Sequence, residues 1–264
     1  MIHLLKIEWL KVKNYRTFWI LMILFLLSLF GINYITYYIW SHTTSNAPAQ
    51  AQAFIGEPPF QFPYVWKTIT YWSGFLLFIP GLLIIISVTN EYSFKTHRQN
   101  IIDGLSRTQF IMIKIILTII ISLISTIAVF LIALMFGISE GGGSISFDNV
   151  EYIAYFFIQA VTYSAIGLLF SLLFKRSGIS IGVFFLFVAV LERMVSAITN
   201  HYIDGVGDYF PLRASSNLIP FPFFKNAVKM ITKEPNIPYL LIASGIYLLA
   251  YYFICKRKFE TDDL

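Results

Sequence analysis

The 264-residue sequence predicts an all-α membrane protein, a single transmembrane domain of six helices preceded by an interfacial helix. Three observations predict it. Hydrophobic residues make up 57% of the chain and charged residues only 12%, against about 25% charged in a soluble domain, and mean hydropathy is +0.71. Aromatic residues reach 18%, and Trp and Tyr favour membrane–water interfaces. Six apolar runs are each long enough to cross a hydrocarbon core, which takes about 20 helical residues.

The elements follow in chain order. Within residues 1–16, Leu5, Trp9, Val12 and Arg16 recur at helical spacing, while Lys6, Glu8, Lys11 and Lys13 fall mainly on other faces. A basic amphipathic helix of this kind suits the headgroup layer. The first span covers 18–40, longer than the roughly 7–15 residues of a signal-peptide core, and reads as an uncleaved anchor. The other spans cover 66–89, 110–137, 152–174, 178–199 and 237–255. Pro80-Gly81 should kink the second span. Lys175-Arg176-Ser177 leaves room only for a tight turn between the fourth and fifth. Gly178 and Gly182 have the spacing of a helix-packing motif, or simply begin the fifth helix. Asn33, Gln159 and Thr162 suit hydrogen bonds between helices. Glu192 and Arg193 lie late in the fifth span, where they either snorkel to the interface or, with Gln159, line a translocation path or gate.

Basic residues orient the bundle. With the N-terminus inside, 13 of the 19 Lys and Arg residues fall on the inner side and 6 on the outer. That bias places both termini in the cytoplasm of a cell membrane. The basic residues form short flanks rather than one patch, which argues against nucleic acid as a partner. The lone Cys255 cannot form an intramolecular disulfide.

The loops differ in character. The outer loop 41–63 is rich in Ser, Thr, Ala, Gln and Pro, and the next holds the flexible Gly141-Gly142-Gly143. The loop 201–236 sets Pro211, Pro220 and Pro222 among Phe210, Phe221, Phe223 and Phe224, a composition that suits a re-entrant or interfacial element. His201, Asp204 and Asp208 in it are a weak metal pattern, and no metal site is expected. The inner loop 90–109 is polar but carries Ile101, Ile102 and Leu105 at helical spacing. It reads either as a short amphipathic helix for docking a partner or as a solvated loop. Ser106 is placed to cap the third span.

Glu91, Thr96, the pair Ser106-Arg107 and Lys114 stand in an order that resembles the permease subunit of ABC-2-type ATP-binding-cassette transporters. The six spans, the basic amphipathic start, the tight fourth-to-fifth hairpin and the irregular last outer loop resemble it too. The family often has Pro before the Ser-Arg pair, where this chain has Asp103-Gly104-Leu105. The resemblance implies a type V exporter-like permease fold. It makes Glu91, Thr96, Arg98, Ser106 and Arg107 an ATPase-coupling loop and has a basic neighbour hold Glu91. It also implies a separate ATPase subunit carrying ATP and Mg²⁺, and a second permease, identical or related.

The chain has no G-x-x-x-x-G-K-[ST] loop and needs no cofactor of its own in this reading. No H-E-x-x-H signature or paired carboxylates point to an enzyme. The alternative is a secondary transporter or channel without an ATPase, for which spans nearly free of charge are poor material.

Overall fold

The computed structural model describes residues 2–45, 58–140, 144–203, 205–223 and 236–261. The triple glycine at 141–143, Asp204, most of the loop 41–63, and Phe224 with residues 225–235 lie outside the described residues, as does the side chain of Leu5. All regular elements among the described residues are helical.

Helix α1 (Ile2–Lys13) leads through a two-residue turn into α2 (Arg16–Ser45), so Arg16 opens the first span instead of closing the amphipathic helix. α2 buries Met22, Phe25 and Leu29 and exposes Ile20, Leu24 and Leu27. The two sets follow the helical repeat, one facing the bundle and one facing lipid. The second span is two helices, α3 (Val65–Gly74) and α4 (Phe78–Ser93), bent by 47°. The break falls at 75–77, one turn before the expected Pro80-Gly81 kink. Proline acts backwards: Pro80 has no N–H for the carbonyl four residues earlier, and its ring crowds it.

A short helix, α5 (Thr96–Ile102), precedes α6 (Arg107–Glu140), the long third span. The inner loop 90–109 is therefore mostly helix: its first residues end α4 and its last begin α6. α7 (Glu151–Phe174) and α8 (Ser177–Leu186) form the tight hairpin. The fifth span continues through a π-helical turn, Phe187–Leu191, into α9 (Glu192–Tyr202). A 3-10 turn (Val206–Tyr209) and α10 (Pro211–Asn217) follow, then α11 (Ile237–Thr261). Among the described residues, five helical stretches are long and apolar enough to cross a membrane, and the bent α3–α4 pair makes a sixth if it is one span.

α7 is the centre of the bundle. Of its most apolar window 61% is buried, against 11% for α11, so α7 is surrounded by protein while α11 is largely uncovered. α4 packs most closely on α7. A Cβ built on Gly167 would lie 2.7 Å from the Gly81 carbonyl oxygen, and one on Gly81 would collide with the Phe184 ring. Of the two readings of Gly178 and Gly182, helix packing and simple helix entry, packing is not seen within the chain, and the close approach is found at Gly81 and Gly167 instead. A Cβ at Gly178 or Gly182 meets nothing within 4 Å. Asn33 does join two helices, donating to Ser73 Oγ at 3.1 Å, whereas Thr162 bonds back to Ile158 in its own helix. Cys255 is buried in α11.

Candidate functional site

Helices α1 and α11 both reach the first turns of α6. There Glu8 of α1, Glu91 near the end of α4 and Lys114 of α6 converge, with Lys11 completing the group. Lys114 Nζ lies 2.6 Å from Glu8 Oε2 and 2.5 Å from Glu91 Oε1. Lys11 Nζ lies 2.8 Å from Glu8 Oε1 and 3.0 Å from the same Glu91 oxygen. Two ammonium groups thus alternate with two carboxylates in a closed ring. Lys114 is 1% exposed and both carboxylates are 6% exposed, so the charges are taken out of water and depend on one another. Burial works against ionisation of Glu8, but Lys114 and Lys11 outweigh it and hold the carboxyl below its ordinary 4.5. Burial likewise opposes the charge on Lys11, but Glu91 and Glu8 outweigh it and hold the ammonium above its ordinary 10.5.

The α4–α5 corner is built on the Glu91 backbone. Lys95 adopts the left-handed conformation (φ 57°), which turns the chain sharply. The Glu91 carbonyl, freed at the helix end, accepts from Thr96 Oγ1 at 3.4 Å and pairs with His97 Nδ1 at 2.9 Å. Thr96 therefore closes the corner. His97 is buried against Tyr92, with ring centroids 4.5 Å apart. Ile101 and Leu105 pack inward on the core. Arg98 is exposed, and so are Phe94 and Ile102, at 75% and 78%.

Ser106 caps α6 reciprocally. The Gln109 N–H donates to Ser106 Oγ at 3.2 Å and the Ser106 N–H to Gln109 Oε1 at 3.0 Å, a capping box. Arg107 turns sideways to the end of α11, where Nη1 donates to the Glu260 carbonyl at 2.6 Å. A cation at a helix C-terminus satisfies carbonyls that have no partner in their own helix. Thr108 donates to Glu260 Oε1 at 2.7 Å, and Phe110 stacks on Phe259 with centroids 4.6 Å apart.

A second assembly occupies the other end of the bundle. A cavity of about 640 Å³ opens at the α3–α4 break, and Gln159, Glu192 and Arg193 all line it. Glu192 does not snorkel. It is 5% exposed, and its Oε1 accepts the N–H groups of Leu212 at 2.6 Å and Arg213 at 3.0 Å. It thereby satisfies the first turn of α10, whose Pro211 lacks an N–H. Ser196 donates to the Gly207 carbonyl at 2.8 Å, and the Gly207 N–H donates to Asn200 Oδ1 at 2.6 Å. The chain after α9 thus doubles back along it, and α10 begins beside Glu192, about 15 Å short of the α9 end at 1.5 Å per residue. Gln159 donates to Ser216 Oγ at 3.1 Å and so ties α7 to α10. Arg193 is exposed at the cavity mouth. Asp208 accepts from Asn200 at 3.1 Å, and among the described residues no three His, Cys, Asp or Glu side chains cluster to hold a metal.

A family profile described as ABC-2 family transporter protein matches residues 4–191, well over half of the chain. The chain belongs to the ABC-2 transporter family. A comparison with curated proteins finds no match. As an ABC-2 family member the protein is a multi-pass membrane protein and the permease component of an ABC transporter. The match takes in the whole ion ring and the α4–α5 corner. Glu192, Arg193 and α10 follow its last residue.

Of the sequence-derived residues in this ABC-2 permease, Glu91, Thr96, Arg98, Ser106 and Arg107 surround one corner, but only Arg98 faces outward without a structural bond shown to it. The resemblance had a basic neighbour hold Glu91, with the N-terminal helix as one source, but it named neither Lys11 nor Lys114 as that neighbour and gave Glu8 and His97 no role there. Glu8 and Lys11 are three residues apart, but Lys11 reaches Glu91 across 80 residues of chain and Glu8 reaches Lys114 across 106, and no local period signals those two contacts. Arg213 and Ser216 were missed at the cavity for the same reason.

Proposed function

We propose that this permease forms one half of an ATP-driven exporter in a cell membrane, beside a second identical or related permease. Two separate ATPase subunits, holding ATP and Mg²⁺, serve the pair, one gripping each permease, here at residues 90–109. The observation that carries the reading is the division of labour within that segment. Its base is locked, Glu91 by two lysines and Ser106 by its capping box, while its tip presents Phe94, Arg98 and Ile102 to solvent. Exposed apolar groups beside a cation, on and just before a helix whose other face packs on the bundle, suit the groove of a partner protein.

The mechanism follows from stiffness. A push on α5 is not absorbed by the corner, because Thr96 and His97 bind the Glu91 carbonyl and the Glu91 side chain binds α1 and α6. It passes to α4 and α6 together, and through Arg107 to α11. α4 carries it to the bend at 75–77, next to the cavity lined by Gln159, Glu192 and Arg193. These three residues border the exit part of the path, and a helix already broken there is a ready hinge. In this reading α1 lies in the inner headgroup layer, and both termini are cytoplasmic, as the excess of basic residues on that side supports.

The test is co-purification from native membranes through a tag on the permease. Wild type should bring a P-loop ATPase with it. Arg98→Glu and Ile102→Asp should lose the ATPase while remaining monodisperse and equally heat-stable. Retention of the ATPase, with unchanged hydrolysis and transport, in both variants would place the grip elsewhere. If wild type brings no ATPase, the reading gives way to a secondary transporter or channel.

A further inference from the structure

We propose that the cavity at the α3–α4 break binds an anionic amphiphile, its phosphate or carboxylate head held between Arg193 and Arg213 and its apolar part against an aromatic wall. This deepens the permease reading and rests on it for the word substrate, but the binding chemistry stands on the cavity itself. The volume of about 640 Å³ is that of a site for a small organic molecule. Tyr71, Phe75, Phe78, Phe185 and Phe221 supply the wall.

Charge decides the class of ligand. The lining holds two guanidinium groups and one carboxylate. The carboxylate is half engaged: Glu192 Oε1 accepts two backbone N–H groups of α10, while its Oε2 is buried and has no partner among the described residues. Arg213 Nε is buried and donates to no partner among the described residues. A guanidinium presents paired donors in a fixed fork that matches phosphate and carboxylate. Two guanidinium groups against one carboxylate leave the lining net positive, which selects an anion. Depth selects an amphiphile. From Ser177 to Arg193 is about 24 Å of helix, close to the far boundary of a hydrocarbon core about 30 Å thick. A headgroup at that level leaves its apolar part beside the broken helix, where the aromatic rings lie.

The test is binding to the full chain alone in phosphatidylcholine nanodiscs, by titration calorimetry. Hexyl phosphate should bind at least about tenfold tighter than hexyltrimethylammonium, which has the same tail and the opposite charge, and tighter than inorganic phosphate, which has no tail. Arg193→Gln and Arg213→Gln should each weaken hexyl phosphate roughly tenfold, while Arg176→Gln at the other end of the bundle should not. Equal affinity for the two hexyl compounds overturns the proposal with no variant needed, and so does undiminished binding in both arginine variants. Nanodiscs containing phosphatidylglycerol distinguish two sources of the same chemistry. Competition with hexyl phosphate shows that a bilayer lipid reaches the site, and lack of competition shows that the ligand arrives as a separate amphiphile. Either result follows only if hexyl phosphate binds. No ATPase is present, so failure here leaves the coupling reading standing, and a permease that fails to co-purify an ATPase still gives this binding result.

Discussion

Lys114 shows how one residue can commit a region of the fold. Its ammonium sits among apolar side chains, 1% exposed, and is tolerable there only because Glu8 and Glu91 both reach it. Lys114→Met should destabilise the protein by about 3 kcal/mol, since it leaves two buried carboxylates to share Lys11. Thermal unfolding in mild detergent reads this, and an unchanged Tm would mean the ring is not closed in solution. The ring also sets a pH window. The Glu8 carboxyl is held below 4.5 in the fold, so its contribution is full above pH 4.5 and lost as pH falls through the lowered value. The Lys11 ammonium is held above 10.5, so its contribution is full below that value and lost as pH rises through the raised one. Tm should therefore be flat near neutrality and fall on acidification below about pH 4.5, a fall that Glu8→Gln should blunt. A Tm that in wild type stays level down to pH 3 would contradict the pairing.

At the scale of elements, the helices were legible in the sequence to different depths. The spans were plain because length and apolarity are local properties, and Ser106 was plain because a cap is read within four residues. Loss of that cap in Ser106→Ala should cost about 1 kcal/mol, with Ser106→Asp restoring most of it in the same unfolding measurement. The fifth helix was read less well. Ser180, Phe184, Val188, Glu192 and Ser196 recur every four residues, a spacing that drifts about 40° per step around an α-helix. The π turn at Phe187–Leu191 is wider and takes up that drift, so Glu192 and Ser196 face inward with Ser180 and Phe184. The period of four was on the page, but only the turn explains why it lies on one face. Glycine spacing left two readings open. Gly178 and Gly182 fit a motif but face open space, while Gly81 and Gly167 fit none because they lie on different helices. Gly167→Ala forces a Cβ to within 2.7 Å of the Gly81 carbonyl oxygen, and backbone cannot step aside as a side chain can. It should cost roughly 1–3 kcal/mol, whereas Gly182→Ala should be neutral or slightly stabilising.

For the whole molecule, the question is how the two ends communicate, and the candidate site was half legible for a reason that bears on it. Glu91, Ser106 and Arg107 could be found because the resemblance orders them along the chain, but what each touches is set by helices far away in sequence. Arg107 is the instructive residue. It lies in the coupling segment yet donates to the Glu260 carbonyl of α11 and not toward solvent. Under the proposed coupling, Arg107 would carry motion into the last helix, while Arg98 and Ile102 would receive it. This separates two kinds of uncoupling. Arg98→Glu should abolish ATPase binding, so that hydrolysis is no longer stimulated by the permease and transport stops with it. Arg107→Ala should leave the ATPase bound and hydrolysing, because the tip of α5 is untouched, but should lower transport per ATP as α11 ceases to follow α6. Reconstituted vesicles in which hydrolysis and transport are measured together decide the matter. If Arg107→Ala loses both in proportion, as Arg98→Glu should, then Arg107 belongs to the docking surface and motion does not reach α11 through this contact.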